Sequence, residues 1–593
     1  MKKKFGIDLG TTNSAMSVYT GNNSSKMIIL DSGKTTMPSC VMWLGGENWV
    51  VGEEAYMNRY KENVCYSIKN KMGSDYKAIF KYEGEEKELT PTEVSSLILK
   101  ELVKRARHLY PNIEDVTITV PADFIAKQRE ETKEAGEAIG LNVVAIISEP
   151  TSAALCYPNS ERSKEVLVYD LGGGTFDVSI VSIEDYSKEE EDSTVFDMLG
   201  VSLKSEDKSA TDKRYEVLVS EGDRHLGGDD IDDEIIKILF KNYNKLNSKG
   251  KLGIPRIQDI ITEEELEKLK LRVERHKKDL DSGMATSVFM EVHGHTLTLE
   301  RKYVEEGIRR VYNKTKLLMG RALANNKVDR NNVKEIVLVG GSTKSLVLQR
   351  LIADGFSECK VSNALNPDEA VAMGASIQTA VTTGVSSTSI MDVSPYTISV
   401  ETISETVTGD LVRGKTVPLI RKNTLLPVRV VKQFAVHNES KTLVTDLFLG
   451  ENVLVSELNH VASVELEREE SGDQATLIVI VDSNGIFKIK VESGGSEREV
   501  ELLNILGVTM KEKKVSPYSR LVSRWESILE TKKVEITEEL RNALDSFKEN
   551  GDAESKAIIQ KHMDSLEHEE ITRDKTTLFS SNQEEVEEYE DGE

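Results

Sequence analysis

Two short stretches of this 593-residue chain set a carboxylate beside a glycine turn rich in hydroxyls. In the first, Asp8 precedes Gly10, Thr11, Thr12 and Asn13; in the second, Asp170 precedes Gly172, Gly173, Gly174 and Thr175. Glycine lets main-chain N–H groups approach an anion closely, so both turns can present amides to phosphate oxygens. A carboxylate does not bind phosphate directly, so Asp8 and Asp170 imply a hydrated Mg²⁺ between them. The hydroxyls of Thr11, Thr12 and Thr175 would add ligands or orient water. One Gly-Thr-Thr turn alone is equally well explained as a tight turn. Two of them, with a further Gly340-Gly341-Ser342-Thr343 run, point to a nucleotide gripped from opposite sides. No G-x-x-x-x-G-K-[ST] run is present, which excludes a P-loop enzyme.

The elements around these turns read as strands and helices in alternation. FGIDL at 5–9 and VLVYDL at 166–171 are short apolar strands, each followed by its glycine turn and a second strand, Ser14 to Tyr19 and Phe176 to Ile183. Helical spacing near 92–108, 126–139, 262–281 and 301–325, with VTITV at 116–120 between, predicts an α/β core. IVLVGGSTKS at 336–345 is strand, double glycine and helix start, and 366–381 is a helix with Pro367 in its first turn. The charged, irregular stretch 184–215 reads as a surface insertion. Around 382–392 the texture becomes small and polar, as in linkers. From 393 to about 505 short alternating strands predict a sandwich, and from about 516 the apolar spacing turns helical.

The totals set limits. A chain of 593 residues exceeds one hydrophobic core, so at least two folding units are expected. A net charge of −25 argues against nucleic acid as a partner but not against ATP. Cys40, Cys65, Cys156 and Cys359 are scattered, without a Cys-x-x-Cys pair, and read as reduced thiols. Asp8 interrupts the start of the chain before a signal-peptide core can form, and no apolar run is long enough to span a bilayer. A cytoplasmic address with no membrane partner is the expectation.

GIDLGTTNSA, ITVPADF, SEPTSAAL, YDLGGGTFDVS, EGDRHLGGDDID, LVGGSTKS and NPDEAVAMGA, in this order, closely resemble the successive signatures of the seventy-kilodalton heat-shock chaperones of the DnaK type. The similarity runs from residue 4 to about 505, and its compactness resembles the short HscC-type paralogues. The resemblance implies a multidomain chain: an actin-like α/β ATPase domain at 1–384, a linker at 385–392, a β-sandwich peptide-binding domain at 393–505, a short α-helical lid at 506–578 and an acidic tail at 579–593. It implies ATP or ADP with Mg²⁺, and allows K⁺. Lys69 and Glu149 resemble the catalytic pair that positions the attacking water and takes its proton, with Asp170 and Thr175 beside them. Asp8, Asp170 and Asp177 resemble the acidic shell of the metal. Gly227 and Gly228 join the phosphate loops, while Glu274, Lys277, Lys278, Gly340, Gly341, Ser342, Lys344 and Asp368 match the adenosine side. Pro121, Arg129 and Asp392 match the interdomain relay, and Val400, Phe434, Leu443 and Val481 the peptide cleft, although each of these four could equally be sandwich core.

The implied function is binding and release of extended apolar segments of unfolded polypeptides under control of ATP hydrolysis, by a monomer. A J-domain cochaperone and a nucleotide exchange factor are the implied partners. Several positions depart from the pattern. Lys278 and Lys344 stand where the family stacks adenine under arginine, and lysine lacks the planar guanidinium. Asp281 replaces a serine that touches adenosine, so weaker nucleotide binding is expected. In the linker, Thr388 and Ser389 replace large apolar residues, removing about 1.5–3 kcal/mol of burial at each if fully buried. Asp123, Ile125, Ala126 and Ala145 alter the cochaperone's neighbourhood, which favours a dedicated J-protein. The polar linker leaves open a second reading, a nucleotide-gated scaffold or exchange factor with little turnover. A small-molecule kinase on the same fold is a third, for which the C-terminal strands and helices would have no use.

Overall fold

The computed structural model describes residues 2–30, 32–157, 163–185, 213–247, 256–325, 328–329, 331–362, 366–405, 411–435, 442–452, 454–455, 458–467, 474–493 and 496–501. Most of the expected surface insertion, the lid and the acidic tail lie outside these residues. Residues Met1–Ile505 form one compact unit.

The glycine turns sit at the heads of two similarly built sheets. In the first, strand Phe5–Leu9 runs antiparallel to Asn13–Gly21 and parallel to Asp115–Val120, which in turn pairs with Asn142–Ser148. In the second, Ser163–Leu171 runs antiparallel to Phe176–Asp185 and parallel to Val333–Val339. Each six-stranded sheet therefore centres on one Asp-bearing hairpin flanked by a parallel strand. Sequence spacing led to the same hairpins and to helices Pro91–Ala106, Ala126–Glu137, Glu263–Asp281 and Arg301–Leu323. Two of these helices begin with a capping box, at Thr90 with Glu93 and at Thr262 with Glu265.

Two readings of helix starts shift. The helix expected from 366 begins at Ala370 and runs to Thr382, because Asn366 to Glu369 form a turn whose amides bond locally. After Gly340 the chain makes a 3₁₀ turn, Gly341–Lys344, before the helix Leu346–Gly355. The apolar Ala370–Thr382 helix and the short Glu149–Leu155 helix cross between the sheets. A side chain at Gly374 would put its Cβ 1.7 Å from the Ser152 carbonyl oxygen, so only glycine permits that approach.

Residues from 398 onward build two antiparallel four-stranded sheets. One orders Leu411–Ile420, Ile398–Glu405, Thr442–Leu449 and Asn459–Glu467; the other orders Val428–Ala435, Gln474–Val481, Phe487–Ser493 and Ser496–Glu501. Val400 and Val481 are buried, and Phe434 and Leu443 half-buried, in the single apolar cluster between these sheets. Ala126 of the first module belongs to the same cluster, which places the sandwich against the helix Ala126–Glu137.

The polar linker is seated by hydrogen bonds where apolar burial was expected to be missing. Ser389–Met391 adds to the second sheet as an edge strand, parallel to Lys213–Asp223, with Ile390 opposite Tyr215. Thr388 is buried, and its hydroxyl accepts from the Asn23 amide at 2.6 Å. The Ser386 hydroxyl donates to Asn23 Oδ1 at 2.7 Å. The Thr388 hydroxyl that costs apolar area thus finds a partner in the turn after Asn13–Gly21, and a satisfied buried hydroxyl avoids the penalty of a lone one.

Asn23→Ala should therefore loosen the linker without disturbing either hairpin. Amide hydrogen exchange of residues 386–391 should accelerate about tenfold, the size expected for losing roughly one to two buried hydrogen bonds. Unchanged exchange there would show that strand pairing alone holds the linker.

Candidate functional site

The two hairpin heads face each other across a cavity of about 540 Å³. Asp8, Gly10, Thr11, Thr12 and Asn13 line one side, and Asp170, Gly172, Gly173 and Thr175 the other. Their approach is close: a Cβ on Gly173 would lie 1.7 Å from Thr12 Oγ1, so a larger residue would force the loops apart. Gly340, at φ 82, would drive a Cβ to 2.4 Å from the Leu171 carbonyl, so it too must be glycine. Glu149, Gly228, Glu274, Lys277, Lys278, Gly341, Ser342, Lys344 and Asp368 complete the wall among the residues singled out from sequence.

Four of those residues stand behind the wall. Lys69, on the 3₁₀ turn Ile68–Lys71, is buried and forms an ion pair with Glu149. Gly174 packs against Asn70 and Thr11, and Gly227 lies against the Gly173 carbonyl. Asp177 is buried directly opposite Asp170 in the hairpin register, so both carboxyls project to one side.

Asp8, Asp170 and Asp177 are buried near the Lys69–Glu149 pair, and the titration of the three aspartates reflects it. Burial first, and the charge of Glu149 second, push the Asp8 carboxyl up to about 7 despite Lys69 and a hydrogen bond from Thr119 at 3.0 Å. Burial, then Glu149 and Asp8, hold Asp170 well above the carboxylate range. Burial, then Asp123 and Glu149, do the same to Asp177. Asp177 Oδ1 has no hydrogen-bond partner among the described residues. An orphaned buried oxygen beside surplus negative charge fits a hydrated divalent cation, whose waters would satisfy the one and whose charge would offset the other. Among the described residues no group of three or more His, Cys, Asp or Glu converges for direct metal ligation.

At the other end of the cavity, polar groups hold each other. Lys277 Nζ pairs with Asp232 at 2.8 Å, and Lys344 with Asp368. Asp281 is not a loose replacement for serine: its carboxylate accepts from the amides of Leu346 at 2.9 Å and Val347 at 3.1 Å, at the start of the Leu346–Gly355 helix. A carboxylate is favoured there by unpaired N–H groups and the helix dipole. Asp281 thereby ties the end of the Glu263–Asp281 helix to the start of the next one at this edge of the cavity.

Sequence reasoning missed the bridge over the cleft. Glu274 accepts from the Tyr56 hydroxyl at 2.5 Å and from Arg59 at 2.9 Å, although they lie more than two hundred residues earlier in the chain. Arg59 also rests on the Tyr56 ring, 4.5 Å from its centroid. Burial opposes ionisation of Glu274, but Tyr56 and Arg59 outweigh it and lower its pKa. Asp229 and Asp232 were missed too, although the GGDDID run that carries them invited attention; burial and Asp232 raise Asp229 to about 6.

A family model described as "Hsp70 protein" matches residues 4–201 and 186–592. The chain belongs to the Hsp70 family. It is 34% identical over 572 residues to the chaperone protein DnaK of Thermotoga neapolitana, covering 92% of this chain and 87% of that one. To the DnaK of Mycoplasmoides gallisepticum it is 33% identical over 520 residues, covering 84% and 80%. To heat shock 70 kDa protein 2 of Paracoccidioides lutzii it is 30% identical over 559 residues, covering 86% and 78%. As a member of this family the chain is an ATP-hydrolysing molecular chaperone, and DnaK-type chaperones act on unfolded polypeptides together with cochaperones.

Two outcomes check the site. Asp8 is protonated at higher pH when folded than when unfolded, so its contribution to stability is present below about pH 4 and is lost as pH rises through about 7. In protein stripped of nucleotide and divalent ions, Asp8→Asn should raise the melting temperature above about pH 7; with ATP and Mg²⁺ restored, the same variant should lower ATPase activity at least about tenfold. Arg59→Met should speed nucleotide release by about tenfold in stopped-flow displacement, the scale of one charged hydrogen bond. An unchanged release rate would mean the bridge does not restrain the cleft.

Proposed function

We propose that the chain hydrolyses ATP with Lys69 and Glu149 and uses the result to change its grip on extended apolar polypeptide segments held by the sandwich. The observation that carries this reading is the buried Lys69–Glu149 pair at the meeting point of the two Asp-bearing hairpins. The amides of Gly10 to Asn13 and Gly172 to Thr175 bind phosphate oxygens, and the hydroxyls of Thr11, Thr12 and Thr175 orient groups around them. Glu274 and Lys277 bind the ribose, with Gly340, Gly341, Ser342, Lys344 and Asp368 about the base. Mg²⁺ held through water by Asp8, Asp170 and Asp177 would neutralise phosphate charge.

Within the chain's own chemistry, Glu149 accepts a proton from the attacking water while Lys69 fixes that water in line. Lys69 is itself fixed, because Glu149 holds its ammonium and Phe124 packs alongside with its ring centroid 5.9 Å away. Preorganised charge in a dry site is the largest contribution available to phosphoryl transfer.

The relay residues support communication between modules. Arg129 donates to the Phe124 and Ala122 carbonyls of its own loop and to the Asn484 carbonyl of the sandwich at 3.2 Å. Pro121 accepts the Phe124 amide at the base of that loop. The Asp392 carbonyl accepts from Leu426, tying the linker to the sandwich. Val400, Phe434, Leu443 and Val481 would contact the client once the sandwich opens. A dedicated J-domain protein, an exchange factor, a monomeric state and a cytoplasmic address complete the proposal.

Steady-state ATPase activity, with and without a short apolar peptide, tests this reading. Slow turnover that rises with peptide is expected. Lys69→Ala should abolish turnover while ATP affinity stays within about tenfold. Retained hydrolysis in that variant would remove Lys69 from the mechanism.

A further inference from the structure

Between the sandwich and the turn that carries Lys69 lies one helix, Ala126–Glu137, that touches the sandwich and the segment just after that turn. At its first turn the Ala126 amide donates to the Tyr396 hydroxyl at 3.1 Å, and Arg129 reaches Asn484. One face of the same turn grips the segment that follows Lys69. The side-chain amide of Gln128 donates to the Met72 carbonyl at 3.1 Å, and Glu131 accepts from the Gly73 amide at 2.5 Å. Gly73 lies so close that a Cβ there would meet Gln128 Cγ at 2.5 Å. Met72 in turn donates its amide to the Lys69 carbonyl at 3.2 Å. Movement of the helix start therefore pulls on the turn that aims Lys69.

Gln128 has a third attachment, to the opposite sheet. Its Oε1 accepts from the Ile125 amide at 3.0 Å and from Arg224 Nη1 at 3.2 Å. Arg224 also donates to Asp123 Oδ2 at 2.7 Å and to the Asp123 carbonyl at 3.0 Å. Arg224 is three residues before Gly227, so this guanidinium joins the strand leading to one phosphate loop to the helix that steadies the catalytic lysine. Gln128 is buried, and its acceptor oxygen is used twice and its amide once.

We propose that Gln128 is a positioning residue that makes the Lys69–Glu149 pair respond to the seating of the sandwich, with Arg224 as its anchor on the second sheet. The inference rests on the ATP-driven reading above and adds to it the side chain that carries the response. The seat acts on the helix through Tyr396, the helix acts on Met72 through Gln128, and Arg224 keeps the two sheets in register while it does so. Removing the Gln128 donor should uncouple turnover from peptide without emptying the nucleotide cavity, because Gln128 lines no part of it.

Gln128→Glu is the informative change. A carboxylate keeps the shape and the two accepted bonds from Ile125 and Arg224 but cannot donate to Met72. The expected result is ATP affinity within about threefold of wild type, kcat down about tenfold and peptide stimulation lost. Arg224 and the Ile125 amide, both donating to the new carboxylate, favour its ionised form, so the donor to Met72 is lost, and a fall in kcat at retained ATP affinity is the readout a merely structural role would not give. Tyr396→Phe, a milder change at the seat, should keep basal turnover within about twofold and cut peptide stimulation at least about fivefold. A peptide-stimulated wild type with either variant behaving like it overturns this inference alone. A kcat loss in Gln128→Glu that comes with weakened ATP binding and tracks a lowered melting temperature assigns Gln128 a merely structural role and overturns it as well. A wild type that binds the peptide without stimulation overturns the coupling reading, and this inference falls with it.

Discussion

Like charges crowded around the Lys69–Glu149 pair are the constraint that organises the nucleotide module. Burial first, and the charge of Glu149 with it, raise the carboxyl pKa of Asp8, Asp170 and Asp177, with Asp8 adding to the rise of Asp170 and Asp170 to that of Asp177. The crowding persists because the carboxyls lie at the ends or in the middle of strands bonded on both edges. Asp8 is fixed by pairing with Ala15, and Asp170 by pairing with Asp177 and Val339. Stored repulsion of this kind makes the site receptive to a cation and a phosphate chain and poor in their absence.

The two sheets repeat a plan: hairpin, glycine head, parallel neighbour. They meet through small residues, since the Ala370–Thr382 helix can lie against Ser152 and against the Phe5–Leu9 strand only where glycine removes the Cβ. Close backbone contact there leaves the cleft open on one side, where Tyr56, Arg59 and Glu274 bridge it with a few polar bonds. A cleft closed by polar bonds and hinged on small residues can exchange its nucleotide without disturbing either core.

The second module is joined to the first by polar contacts as well. Ser220 and Asn423, Lys422 and Glu221, Arg129 and Asn484, and the Asn23–Thr388 bond are each worth little alone. Together they seat the sandwich and linker with a modest, divisible energy. An apolar joint of the same area would hold more tightly and separate less readily.

The sequence by itself determined the hairpins and their glycine heads, because strand periodicity and glycine turns are local properties. It determined the family as well, since seven ordered motifs are local strings. Only the tertiary structure decided that Tyr56 and Arg59 meet Glu274, that Asp281 caps a helix, and that Thr388 is satisfied by Asn23. These depend on contacts between residues tens to hundreds of positions apart, which no spacing rule encodes. The linker shows the difference most clearly. Counting apolar area along the chain led to an expectation of weak docking, whereas the fold supplies a hydrogen-bond partner from a distant turn. Gln128 reads in sequence as an ordinary polar helix residue; only the approach of Met72 and Arg224 gives its amide three attachments.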